Sequence, residues 1–243
     1  MMIKACFIGC FMVLSTGLMA QSWQQLFDGK TLNGWAVVDK PANVKIIDSS
    51  LVLKMTPYTS RHAFVRTTKK YKNFILEVEF KRDLILDSGV LFRSVDAPDT
   101  AFSALFGYMV KIDPQLTRRW TGGIFTDFGN GHQWLKTLEG DENARKAEKK
   151  GGEWNTLRIE AQGQNIKVWL NGVPTVNLLD DKYTEGGYIA FKIHFLQREI
   201  EKSNLAIAFR HPKIITKNLS KYAQNMPLPV TDTRGIVKIQ YFR

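Results

Sequence analysis

The stretch Gly187-Tyr188-Ile189-Ala190-Phe191-Lys192-Ile193-His194-Phe195 alternates strictly. Successive side chains of a strand point to opposite sides. Ile189, Phe191, Ile193 and Phe195 therefore form one face, and Tyr188, Ala190, Lys192 and His194 the other. The first set reads as a core face. The second puts an aromatic ring, a cation and one of four histidines side by side, as in a strand that buries one face and lines a cleft with the other. An ordinary sheet with a polar outer face gives the same pattern, so the residues alone leave both readings open.

Most of the preceding chain reads as short strands. Residues 74–81 alternate Phe74, Leu76, Val78 and Phe80 against Ile75, Glu77, Glu79 and Lys81. Residues 44–47 and 51–54 suit a hairpin around Asp48-Ser49-Ser50, and residues 64–67, 88–93 and 108–113 are further strands. Residues 154–161, 164–170 and 173–178 form a meander whose second turn, Asn171-Gly172, is the best hairpin signal in the chain. Asp28-Gly29 and Asn33-Gly34 mark turns between Phe27 and Trp35. Strands are also expected at 205–210 and 236–242, and a helix at 142–150. Residues 120–134 carry four glycines among aromatics and read as a long loop; residues 197–204 read as a charged loop, and 212–234 as a poorly patterned connection. So many strands imply an all-β chain, a β-sandwich with a jelly roll as its closed form.

The 243 residues, 44% hydrophobic, suffice for one substantial core. Residues 1–20 read as a secretory signal: Lys4, an apolar run at 5–14, then small residues before cleavage after Ala20. A lipoprotein reading at Cys10 ranks lower, because the apolar region before it is very short. Residues 21–243 then form a single domain without cysteine, periplasmic or extracellular. The net charge of +11 is scattered over strands and turns. With export, this argues against a nucleic-acid partner, and no second apolar span suggests a membrane crossing. The sequence does not specify the oligomeric state.

Several motifs together resemble a family. Phe27-Asp28-Gly29-Lys30-Thr31-Leu32-Asn33-Gly34-Trp35 is similar to its opening, and Asp87-Ser88-Gly89-Val90-Leu91-Phe92-Arg93 to its Asn-Ser-Gly…Phe-Arg strand. Residues 108–114 and Trp120-Thr121-Gly122-Gly123-Ile124-Phe125 resemble its middle; Gly152-Glu153-Trp154-Asn155, Leu170-Asn171-Gly172 and residues 187–194 resemble its end. The resemblance, over roughly residues 23–217, is to the 3-keto-disaccharide hydrolase domain family, with a concanavalin-like jelly roll. It implies a secreted protein of carbohydrate breakdown acting on glycosides with a ketone at the third sugar carbon. The ketone acidifies the hydrogen on the second carbon, and loss of that proton lets the anomeric group leave. Such a site needs a base, a positive group for the enolate oxygen and an acid or metal at the leaving oxygen. It does not need the carboxylate pair of ordinary glycosidases.

On this basis His194 and Lys192 are the candidate acid–base pair, and Arg93 and Lys111 hold developing negative charge. Asp87, Asp113, Trp120, Asp127, Trp134 and Tyr188 are candidate substrate-binding residues, while Trp154 is assigned to the core. The chain departs from the family at Asp87, where Asn is typical, at Lys111, Met109 and Lys192, where neutral polar or acidic residues are common, and at Phe125, where Tyr is. Asp87 can neutralise Lys111 or Lys192, a lysine can take over as base or acid, or catalysis is lost and sugar binding kept. Two lysines repel a divalent metal, so no cofactor is assigned. The expected partner is a glycoside or oligosaccharide, and the alternative function is a lectin-like binding module of the same fold.

Overall fold

The computed structural model describes residues 23–38, 42–55, 62–83, 85–97, 103–127, 133–194 and 205–235, with backbone alone at 42, 55 and 127. The signal reading, the 197–204 loop and the strand at 236–242 lie outside the described residues. The strands are β1 (Gln24–Gln25), β2 (Trp35–Val38), β3 (Ala42–Ile47), β4 (Ser50–Met55), β5 (Ala63–Thr67), β6 (Phe74–Arg82), β7 (Ser88–Asp96) and β8 (Leu105–Ile112). They continue with β9 (Ile124–Asp127), β10 (Gln133–Lys136), β11 (Asn155–Gln162), β12 (Asn165–Leu170), β13 (Val173–Leu179), β14 (Tyr188–Ile193), β15 (Ala206–Ile215) and β16 (Thr231–Asp232).

They form two sheets. One runs β16-β13-β12-β11-β6-β15-β4-β3, with β1 paired to β15; the other runs β10-β9-β8-β7-β14-β5-β2. The fold is a jelly-roll sandwich, and the core lies between the sheets. Ile189, Phe191 and Ile193 are fully buried there, as the alternation implies. Phe191 stacks on Phe209 of the opposite sheet, with ring centroids 4.2 Å apart and planes 6° from parallel, and on Trp35 at 5.0 Å. Such stacked pairs add about 0.5–1.5 kcal/mol beyond the area they bury. Among the described residues no helix is long and apolar enough to cross a membrane.

The local turn chemistry holds. Asp48 and Ser49 have φ of 47° and 56°, and Asn171 and Gly172 of 51° and 80°, the left-handed pair that a two-residue hairpin turn requires. Three expectations are corrected. Residues 120–134 are not a plain loop, because they supply β9 and β10 at one sheet edge. Gly123 permits this: a Cβ there would meet the Lys136 carbonyl oxygen at 2.8 Å and the Trp134 ring at 3.0 Å. The helix at 142–150 is one turn only, α1 (Glu142–Arg145), capped by Asp141. Beyond it the Lys149 N–H donates to Asn155 Oδ1 instead of continuing the helix. Residues 212–234 are also better ordered than their pattern suggests. β15 passes through Pro212 at a bulge, where a missing N–H costs no ladder bond, and β16 pairs in parallel with β13.

Candidate functional site

The outer face of the seven-stranded sheet carries two rows of side chains that cross the strands. Strand register sets Val38, Phe64, Lys192, Gly89 and Lys111 in one row. The next row is Arg66, Ala190, Leu91, Met109, Phe125 and Trp134. Gly89 thus lies between the two lysines. A Cβ on it would meet Met109 Cγ and Sδ at 2.5 Å, so the missing side chain is what lets Met109 lie between them.

Two residues further along each strand lie His62, His194 and Asp87. The His194 N–H donates to the Asp87 carbonyl at 3.1 Å, and the His62 and His194 rings are 4.4 Å apart, tilted by 59°. Lys111 Nζ donates to Asp87 Oδ1 at 2.5 Å and lies 5.5 Å over the Phe125 ring. Lys192 Nζ lies 6.0 Å over Phe64, and its carbonyl accepts from Ser88 Oγ at 2.5 Å. Both lysines are buried, Lys192 to 2% exposure. Burial alone would raise the Asp87 pKa; Lys111 foremost, then His194 and Lys192, outweigh it and hold the carboxyl below the usual carboxylate range. Asp87 is therefore an anion at neutral pH that neutralises Lys111.

The sheet thus brings together His194, Lys192, Lys111 and Asp87. It adds His62, which sequence reasoning missed by starting that strand at Phe64; the parity of His62 with Phe64 was the signal available. Trp134 and Trp120 adjoin the cluster. They meet edge to face at 5.1 Å, Trp134 packs on Phe125, and the Arg118 guanidinium lies about equally close to both indoles. Both indoles are half-buried.

The other candidates take different places. Arg93 stands at a bulge with φ of 49°, six residues from Asp87 and so roughly 20 Å along the strand. Its buried guanidinium donates to the carbonyls of Lys72, Gly163 and Tyr183 and to Asn73 Oδ1, so it clamps loops at the far end. Asp113 accepts two bonds from Arg118 at 2.8 Å each and one from the Trp120 N–H, so it organises the loop before β9. Tyr188 is also at the far end, its ring 3.8 Å from the Arg66 guanidinium and 4.9 Å from Lys70 Nζ. Trp154 is not core. It is half-buried, with Arg210 3.9 Å and Lys81 5.0 Å over its ring. Asp127 ends β9 opposite Gly107, and its side chain lies outside the described residues.

Among the described residues no three His, Cys, Asp or Glu side chains gather as metal ligands, and the Asp87 carboxylate holds the Lys111 ammonium group.

The molecule is a jelly-roll sandwich whose outer sheet face carries a buried charged cluster beside half-buried indoles. The family model described as 3-keto-alpha-glucoside-1,2-lyase-like domain matches residues 22–214, and the chain belongs to this family. The fold is similar to that of a proposed glycosyl hydrolase from Parabacteroides distasonis, at 16% identity and a TM-score of 0.58, covering 85% of this chain and 99% of that one. It is also similar to the carbohydrate-binding module CBM66 from Bacillus subtilis, at 14% identity and a TM-score of 0.51, covering 74% and 93%. The metal-free carbohydrate recognition domain of Emp46p is a third, at 13% identity and a TM-score of 0.52, covering 81% and 99%. No protein of curated function matches the chain.

Proposed function

We propose that this protein is an exported enzyme that cleaves 3-keto-glycosides, with its chemistry at the cluster around Gly89. The observation that carries the reading is the meeting of His194, Lys192, Lys111 and Asp87 at one end of the sheet. Family membership supports the substrate class, and the pattern of residues 1–20 supports export.

The His194 imidazole takes the proton from the second sugar carbon, and the electron pair passes to the ketone oxygen as an enolate. The Lys111 ammonium, fixed by Asp87, donates to that oxygen where charge develops. As the ketone re-forms, the bond from the anomeric carbon to the leaving oxygen breaks, and Lys192 protonates that oxygen. Water adding across the new double bond completes a net hydrolysis. Asp87 serves by holding the Lys111 side chain in place. The reading needs no second carboxylate, and Asp113 is engaged with Arg118.

A second reading, a non-catalytic sugar-binding module, is favoured by one feature, the half-buried pair Trp120 and Trp134. One experiment separates the two. Residues 21–243 are incubated with a 3-keto-glucoside and its unoxidised parent, with and without chelator, and aglycone release is followed. Release from the keto form alone is expected, unaffected by chelator. Saturable binding without release from either would establish the module instead. Sequencing the N-terminus of the exported protein tests cleavage after Ala20.

A further inference from the structure

We propose that His62 is a positioning residue for this chemistry, a second imidazole that packs against His194 and keeps it in the neutral form a base requires. The inference rests on the reading of His194 as the base. His62 precedes β5 by one residue. Phe64 is in register with Lys192, so His62 falls opposite His194 on the same outer face. The ring centroids are 4.4 Å apart, and the His62 and Phe64 rings meet edge to face at 6.4 Å and 90°. The side chain is 1% exposed, unusual for a residue that water solvates well.

Charge explains what such a neighbour does. Among the described residues, His194 is faced by Lys192 on its own strand, by Asp87 from the segment before β7, by Lys111 on β8 and by His62. Two imidazoles this close resist carrying a proton each, as any like-charged pair with little water between them does. One of them therefore stays neutral over a wide range of pH. The contact also holds the His194 ring at one angle, where a base acting on a carbon-bound proton must be aimed.

The variant His62→Phe keeps a flat ring against Phe64 and removes the titrating group. His62→Gln, smaller and uncharged, serves if the phenylalanine misfolds. Proton titration of His194 is followed by NMR of the imidazole carbons in the free protein, and kcat/KM for a 3-keto-glucoside is measured against pH. A like charge at this distance is worth about 0.7 pH unit even in water-like surroundings. The His194 midpoint should therefore rise by about 0.7 unit or more in either variant, and the acid limb of kcat/KM should move up with it. At neutral pH kcat should fall more than KM changes. An unchanged or lowered midpoint in a folded variant overturns the proposal. A raised midpoint in a protein that turns over no 3-keto-glycoside leaves the histidine pair standing and removes the keto-glycoside reading, so the two failures are distinct.

Discussion

Replacing Asp87 with Asn isolates the ion pair on which the charge balance of the site depends. Asn has nearly the same shape, so the change removes charge and little else. It leaves the Lys111 ammonium, whose side chain is 9% exposed, without the carboxylate 2.5 Å away. Orphaning one member of a buried pair costs about 3–5 kcal/mol. Asp87 keeps 22% of its side-chain surface exposed, and water there screens the loss, so about 3 kcal/mol is the working figure. For a chain of this size that lowers the melting temperature by roughly 6–12 °C. The sign with pH follows from the depressed carboxyl. Its stabilisation is fully present above the unfolded value near 4 and is lost as pH falls through the lower folded value. The gap between wild type and Asp87→Asn should therefore be constant from about pH 6 to 8 and should close below about pH 4. A further change, Lys111→Met, should restore most of the loss, because it removes the orphaned charge. Calorimetric melting of the four proteins of this cycle across pH makes the test. The reasoning is refuted if Asp87→Asn melts within about a degree of wild type at pH 7, or if the double variant is no more stable than the single.

Arg93→Ala should cost about 3 kcal/mol or more by stranding three carbonyls, while kcat at a temperature where the variant is folded stays near wild type; a selective loss of kcat would return Arg93 to the site. Arg93→Gly should be about 1 kcal/mol less damaging by denaturant melt, because it relieves the positive φ. Gly89→Ala should destabilise by about 1–3 kcal/mol, since its Cβ would displace Met109 and press on the Val110 carbonyl oxygen at 3.0 Å. Trp134→Ala should raise KM roughly three- to tenfold with kcat little changed, which steady-state kinetics would read directly.

The fold was legible where alternation and turn chemistry agree. β6, β14 and the Asn171-Gly172 hairpin all follow from period-two patterns bounded by residues that accept positive φ. β9 and β10 were not, because their glycines read as loop punctuation, whereas Gly123 is there to let Lys136 and Trp134 approach. The site divides the same way. Lys192, His194 and Lys111 fall where strand parity puts them. Arg93 shares the parity of Gly89 and Leu91, and a regular strand would have turned it onto the same face. The bulge between Phe92 and Val95 turns it away, and no pattern of hydrophobicity records a bulge. Tyr188 lies beyond a register shift of its own, and Asp113 lies past the end of β8, where Arg118 takes both its oxygens. Long-range capture of this kind depends on loop geometry that one sequence does not display.

The most direct test of the central claim is the fate of the hydrogen on the second sugar carbon. A 3-keto-glucoside deuterated there is incubated with the protein in ordinary water, and the sugar product is analysed by mass spectrometry at early times. Elimination through an enolate requires the deuterium to be lost to solvent, with slower release of the aglycone than from the protiated substrate, and no release at all from His194→Ala. Aglycone release with the deuterium retained would contradict the account and point to direct displacement at the anomeric carbon.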